Sequence, residues 1–174
     1  MDLSKTIIPK SDQLNADDLV GGSKTITIRK VSQGSDDTQP VNIYYFGDDN
    51  KPYKPCKSMR RLLVQLWGVD GSKFVGRSMT IFRDDSVMFA GVEVGGIRIS
   101  HVTDIAAPTK VLITTAKSKR RPVTVQPLVL NKKAITDFAK ALESVKIGEV
   151  TAVRIVETYD LTNDQIVELA NLVK

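Results

Sequence analysis

Residues 75–102 read VGRSMTIFRDDSVMFAGVEVGGIRISHV, and the fold class is decided there. Three runs rich in Val, Ile, Met and Phe cover 75–83, 87–94 and 97–102, separated at Asp84-Asp85-Ser86 and at Gly95-Gly96. Short apolar runs bounded by turn formers are strands. In the last run, side-chain alternation puts Ile97 and Ile99 on one face and Arg98 and Ser100 on the other. Arg98 should therefore project from the sheet. Gly95-Gly96 either bends the chain between strands or lets a backbone or ligand approach closely. His101 follows the parity of Ile97 and Ile99, which favours a structural, hydrogen-bonded histidine.

The same pattern extends in both directions. Upstream, residues 24–31 alternate with Ile26 and Ile28 on one face, and 41–46 (Val-Asn-Ile-Tyr-Tyr-Phe) form a second strand, so the pair reads as a hairpin with a long connection. Downstream, 111–115 and 123–129 add two strands joined by Lys117-Ser118-Lys119-Arg120-Arg121. About seven strands at such short spacing favour a closed barrel or a sandwich. Between the second and third strands the period changes. Met59, Leu62, Leu63, Leu66 and Trp67 make one apolar stripe, which predicts an amphipathic helix over 55–67 with Pro55 in its first turn and Gly68 as its stop.

The chain divides into three parts: a flexible N-terminal arm over 1–22, a β-domain over 23–130 and a C-terminal helical element over 131–174. In the last, Asn131 is a candidate cap for a helix with the stripe Ile135, Phe138, Ala139 and Leu142. Thr162 and Gln165 form a capping box ahead of Ile166, Leu169, Ala170 and Val173. Residues 150–156 fit strand or helix.

The net charge is +5, and it is unevenly placed. Residues 1–130 hold 19 Lys and Arg against 13 Asp and Glu, a balance of +6, whereas 131–174 hold 6 against 7. The strand-rich part is thus where a polyanion is expected to dock. Two clusters stand out. Lys51, Lys54, Lys57, Arg60 and Arg61 follow one another with no acid between them, and 54, 57 and 61 share a helical face if the helix begins early. Lys119, Arg120 and Arg121 stand with Lys117 at a predicted hairpin tip. Phosphates reward such clusters because each one neutralised releases counterions. Tyr44, Tyr53 and Phe46 are nearby rings on which bases could stack. The competing interpretation is a solvated face and a soluble turn.

Other chemistries find little support. Ser23 breaks the phosphate-loop pattern in Gly21-Gly22-Ser23-Lys24-Thr25, and a strand follows where a helix is needed. The pairs Asp36-Asp37, Asp48-Asp49 and Asp84-Asp85 fall at turns, where aspartate is favoured for local hydrogen bonding. With Cys56 and His101 the only residues of their types, neither a disulfide nor a Cys/His metal site is expected, and no motif marks a nucleophile. No apolar run approaches a membrane span, and the first residues lack the order of a secretory signal. The expectation is a cytoplasmic protein without catalytic residues, cofactor or metal.

The segment Lys51-Pro-Tyr-Lys-Pro-Cys-Lys-Ser-Met-Arg-Arg61, Trp67-Gly68, Gly76-Arg77 and Gly95-Gly96-Ile-Arg-Ile-Ser-His101 resemble a group of small phage and prophage proteins of uncharacterised function, over residues 20–130. The resemblance implies a host cytoplasm and work in DNA replication or recombination. By analogy, small basic barrels with one helix are similar to the oligonucleotide-binding (OB) fold. Here the helix follows the second strand, whereas the usual OB helix follows the third.

The resulting expectation is a mainly β (β+α) protein, a partly open OB-like barrel of about six or seven strands with one internal helix and C-terminal helices. It should bind single-stranded nucleic acid, DNA above all, with Lys54, Lys57, Arg60, Arg61, Arg98, Lys119, Arg120 and Arg121 on phosphate and Tyr44 or Tyr53 on bases. The rivals are a structural or assembly protein of a virion, self-associating through the barrel, and an inhibitor or adaptor docking on a host factor through its C-terminal helices.

Overall fold

The computed structural model describes residues 11–35, 37–116 and 119–173. Its elements in chain order are β1 (Lys24–Gln33), β2 (Val41–Tyr45), α1 (Lys57–Trp67), β3 (Ser78–Asp84), β4 (Met88–Phe89), β5 (Val92–Glu93), β6 (Gly96–Val102), β7 (Thr109–Ala116) and β8 (Lys119–Pro127). There follow β9 (Lys133–Ala134), α2 (Phe138–Lys146), α3 (Ala152–Thr158), β10 (Tyr159–Asp160) and α4 (Asn163–Leu172). The protein is therefore β+α. Among the described residues no helix is long and apolar enough to cross a membrane.

Six strands form one mixed sheet in the order β2-β1-β3-β6-β8-β7. Neighbours are antiparallel except β6 and β8, which run parallel through His101–Gln126 and Val102–Pro127. Alternation sets the register. Ile26 and Ile28 of β1 are buried with Met79 and Ile81 of β3. The polar residues between them meet across the strands as hydroxyl pairs, Thr25 with Thr80 and Thr27 with Ser78, both at 2.8 Å.

Helix α1 lies against β7 and buries Met59, Leu62, Leu63 and Trp67 in the same core as residues from all six strands. It begins at Lys57 rather than earlier. Pro55 disfavours helical backbone at the residue before it, so Lys54 cannot be the start. Gly68 ends it with φ +92°, a conformation an L side chain resists. Trp67 then fixes the far end, donating from Nε1 to the Thr103 carbonyl at 2.9 Å and meeting Phe74 edge-on.

No ladder joins β2 to β7 among the described residues, so the sheet is open where a closed barrel would be paired. The segment containing α1 runs between those two edges instead. Tyr53 exchanges two backbone hydrogen bonds with Ile43 of β2, both 2.9 Å, and Ser58 Oγ donates to the Thr114 carbonyl of β7 at 2.8 Å.

Other expectations shift. The strand read at 87–94 is only the two-residue pair β4–β5, because Ala90 and Gly91 take positive φ and fold it into a tight hairpin. Strand β8 begins at Lys119, so Arg120 and Arg121 belong to a strand and not to a hairpin tip; Lys117 and Ser118 lie outside the described residues. Gly95 and Gly96 make room for neighbours within the protein. A Cβ at Gly95 would stand 2.9 Å from the Arg83 guanidinium, and one at Gly96 2.9 Å from Val87 Cγ1.

The N-terminal arm needs a larger correction. Residues 1–10 lie outside the described residues, but 11–22 are docked. Leu14 and Leu19 are buried in the main core, and Leu14 N donates to the Pro52 carbonyl at 3.0 Å. Asp12 and Asp17 pair with Lys54 and Arg83.

The C-terminal helices have their own core of Leu142, Ala152, Ile155, Val156, Ile166 and Leu169, which takes in Phe46 from the end of β2. The Thr162–Gln165 capping box forms as its sequence predicts, and 152–158 resolve as helix with Thr151 as cap. Helix α2 starts later than expected. Asp137 caps it by accepting from Lys140 N at 3.0 Å, while Lys133–Ala134 pair with β10 in extended form.

Arg29 of β1 ties the two cores together. Its Nε and Nη2 donate to Asp48 Oδ2 and Oδ1 at 3.3 and 3.2 Å, and its Nη1 reaches the Val173 carbonyl beyond α4 at 3.2 Å. Asp48 also accepts from the backbone N–H of Tyr45 and Asn50, both at 3.0 Å. Beside it, burial first and the Asp48 charge next push the Tyr45 hydroxyl up to about 12, so it stays protonated. Removing one member of such a buried pair strands the other. Asp48→Ala should lose about 3–5 kcal/mol in urea unfolding, and Asp48→Asn, which keeps an acceptor for the turn, should lose less.

Candidate nucleic-acid interface

Three stretches far apart in sequence meet at one end of the sheet. Strand β6 carries Arg98, strand β8 carries Arg121, and Asp84 closes β3 between them. Asp84 Oδ2 stands 3.7 Å from Arg98 Nε and 3.6 Å from Arg121 Nη2. Arg98 Nη1 also lies 3.6 Å from Cys56 Sγ, at the residue preceding α1, which brings the start of that helix to the cluster. Arg61, one turn into α1, donates from Nη1 to Thr114 Oγ1 at 3.4 Å. Thr114 is the register partner of Arg120 across β7 and β8, so Arg120 stands beside Arg61, on the opposite face of β8 from Arg121.

The electrostatics are those of a cationic rim around one carboxylate. Asp84 Oδ1 is held by its own turn, accepting from Ser86 N at 3.1 Å and Ser86 Oγ at 2.6 Å. Burial by itself raises the Asp84 pKa, but the Ser86 hydrogen bonds and the Arg98 and Arg121 charges together hold it below the usual aspartate value. Arg98 does not project freely from the sheet. Its side chain is 17 % exposed because the β3–β6 end folds it toward Asp84 and Cys56. Its Nε is buried without a hydrogen bond among the described residues. Arg121 is 55 % exposed, and Lys57, Arg61 and Arg120 are exposed.

The remaining sequence candidates divide. Arg60 is half-buried, with an Nε that lacks a hydrogen-bond partner among the described residues. Lys119 opens β8, paired with Ala116. Lys54 lies off the helix and is bound to Asp12 at 2.7 Å, so it does not share a face with Lys57 and Arg61. With Tyr44 it lines a separate depression of about 250 Å³ that includes Asp12, Asn42 and Asn50. Tyr44 is half-buried, with Arg29 and Lys30 placed 5.3 and 5.8 Å from its ring centre.

Tyr53 is a correction. It is 1 % exposed, inside the core, and has no ring face to offer a base. The backbone pairing of 53 with Ile43 turns its side chain inward, a long-range constraint that local sequence does not show. Its hydroxyl has no hydrogen-bond partner among the described residues, and burial pushes its pKa far above the ordinary tyrosine value. Sequence reading also missed Asp84, taken as a turn residue, together with Cys56 and Thr114. Local sequence carries no signal for Asp84, because β8 reaches it only through the strand order β3-β6-β8.

A larger cleft, about 720 Å³, lies elsewhere, between the sheet and the C-terminal helices. Its charges are mixed: Lys73, Arg77 and Lys132 face Asp104 and Asp160. Burial holds Lys132 below the ordinary lysine range against the pull of Asp160 and Glu157. Among the described residues no three His, Cys, Asp or Glu side chains converge as a metal site would require. His101 is half-buried and hydrogen-bonded, Nδ1 to Ser100 Oγ at 2.9 Å.

Comparison with known proteins finds no family model, no curated protein and no solved structure that matches the chain.

The unsatisfied Tyr53 hydroxyl gives a direct test of its role. Tyr53→Phe should leave stability within about 1 kcal/mol or raise it, since a desolvated, unpaired group is removed, whereas Tyr53→Ala should cost about 3–5 kcal/mol. Thermal or urea unfolding measures both.

Proposed function

We propose that this protein binds single-stranded nucleic acid, DNA in the first place, without sequence preference, along the sheet end where Arg98 and Arg121 meet the start of α1. The observation that carries the reading is that convergence. The clusters at 57–61, at Arg98 and at 120–121 are separate in sequence, yet Asp84, Cys56 and Thr114 connect them in space. A solvated charge pattern has no need to converge.

The topology supports an OB-like reading of the sheet. With β2 set aside, the neighbours run β1-β3-β6-β8-β7, with one parallel pair, β6 and β8. An OB fold orders its strands first, second, third, fifth and fourth, and its third and fifth are likewise parallel. In that correspondence the connection holding β2 and α1 is the first ligand-binding loop, the β7–β8 turn is the other, and β3 and β6 are the binding strands. The clusters at 57–61 and at Arg98 then fall on elements by which OB folds grip oligonucleotides, and Arg120 and Arg121 stand on β8 just beyond the second loop. The extra hairpin strand and a helix after the second strand are departures, and α1 bridges the two sheet edges. The resemblance to phage and prophage proteins fits a role on replication or recombination intermediates.

Arg61, Arg98, Arg120 and Arg121 contact phosphates in this reading, and Lys57 adds a fifth charge. Four neutralised phosphates on a single strand give a slope of log affinity against log salt of about −3. Titration of a labelled mixed-sequence oligonucleotide over a salt series, with duplex of the same sequence beside it, tests this. Single-strand preference and a slope of that order are expected; absence of binding at low salt, or a slope near zero, sinks the proposal. Arg61→Gln and Arg121→Gln, both at exposed positions, should each weaken binding several-fold and flatten the slope by about 0.7.

A further inference from the structure

We infer that Asp84 occupies the seat of a backbone phosphate between Arg98 and Arg121, and that a bound strand displaces it from both arginines. The inference rests on the nucleic-acid reading above and names the residue that sets its affinity.

The geometry is that of a loose internal counterion. Both arginines approach the same oxygen, Oδ2, at 3.6 and 3.7 Å. Charge-assisted hydrogen bonds close to about 2.7–2.9 Å when nothing prevents it. What prevents it here is Ser86, whose N–H and hydroxyl both hold Oδ1 and fix the carboxylate to its own turn. The aspartate is therefore positioned by the turn and not by the arginines. Arg98 Nε is left buried with no hydrogen bond among the described residues, a donor without an acceptor.

A phosphodiester brings what the carboxylate cannot. It carries a full charge with oxygens on a group not tethered to the turn, so it can move into contact with both guanidinium groups at once. In the free protein, Asp84 offsets the repulsion between two cations and the partial burial of Arg98. In the complex it is a competitor. The neighbouring acid, Asp85, has a different partner, Arg83, which also pairs with Asp17. That makes Asp85 the proper control for a change in net charge.

The test uses the full chain and a labelled single-stranded oligothymidylate over a salt series. Asp84→Asn keeps an Oδ1 acceptor for Ser86, so the turn should survive, and equal unfolding midpoints check that it has. It should bind about five- to tenfold tighter than wild type, with a slope steeper by about 0.7–1.4 as the freed arginines take up solution anions. Asp85→Asn should change affinity by no more than about twofold. Ser86→Ala removes the shorter of the two bonds on Oδ1 and leaves only the backbone N–H, so the carboxylate can lean further toward the arginines and binding should weaken by about two- to threefold. In the Arg121→Gln background the Asp84→Asn gain should shrink. If the two Asp→Asn variants match while wild type binds with a steep salt slope, the displacement idea fails and the nucleic-acid reading stands. If neither wild type nor any variant binds, the reading itself falls and takes this inference with it.

Discussion

The buried pair of Arg29 and Asp48 is the constraint on which the rest of the structure depends. Two charges removed from water are costly unless their hydrogen-bonding capacity is met. Here it is met from three directions: the β1 strand, the turn after β2, and the backbone beyond α4. The turn sets where the chain leaves β2. That departure brings Tyr53 back onto Ile43 and delivers α1 to the edge of β7. The cationic rim thus inherits its position from an ion pair that takes no part in it. For the same reason the helical element is not a removable appendage, since its loss would bare Phe46 and leave Arg29 short of an acceptor.

Much of the fold was legible in local pattern, and the exceptions share a cause. Ile26 and Ile28, the Met59–Trp67 stripe and the Thr162–Gln165 box each report a short-range physical rule, and the structure follows them. Residues whose fate is set by a distant partner were misread. Tyr53 is taken inward by a strand bridge, 11–22 are drawn onto the core by Leu14 and Leu19, and Lys133–Ala134 are held extended by β10. Asp48 looked like any turn aspartate because its partner lies in another strand. The site was half legible: its cations could be picked from sequence, but their convergence around Asp84 could not, because it depends on strand order.

Net charge is a poor guide to which cations are available. Arg29, Lys54, Arg77 and Arg83 are each engaged with a carboxylate inside the protein. Among the described residues, Lys57, Arg60, Arg61 and Arg120 have no carboxylate within ion-pair distance, and Arg98 and Arg121 share one between them. Lysines elsewhere, among them Lys24, Lys30, Lys73 and Lys110, are also exposed without an ion pair among the described residues, so what sets the rim apart is the clustering of its arginines. Arg98 is held in place by its neighbours without having its donors saturated.

The reach from Arg29 to Val173 also bears on how the protein is made. The two are separated by 144 positions, almost the whole chain. Synthesis runs from the N-terminal side, so β1 and its partner turn emerge from the ribosome long before the carbonyl that completes their anchor. Until α4 has been made, the first hairpin holds its guanidinium with only the aspartate to satisfy it, and Phe46 stands without its helical cover. Closure of this anchor therefore waits for α4, and a chain stalled before that helix presents the cell with a nearly complete sheet that is not yet locked.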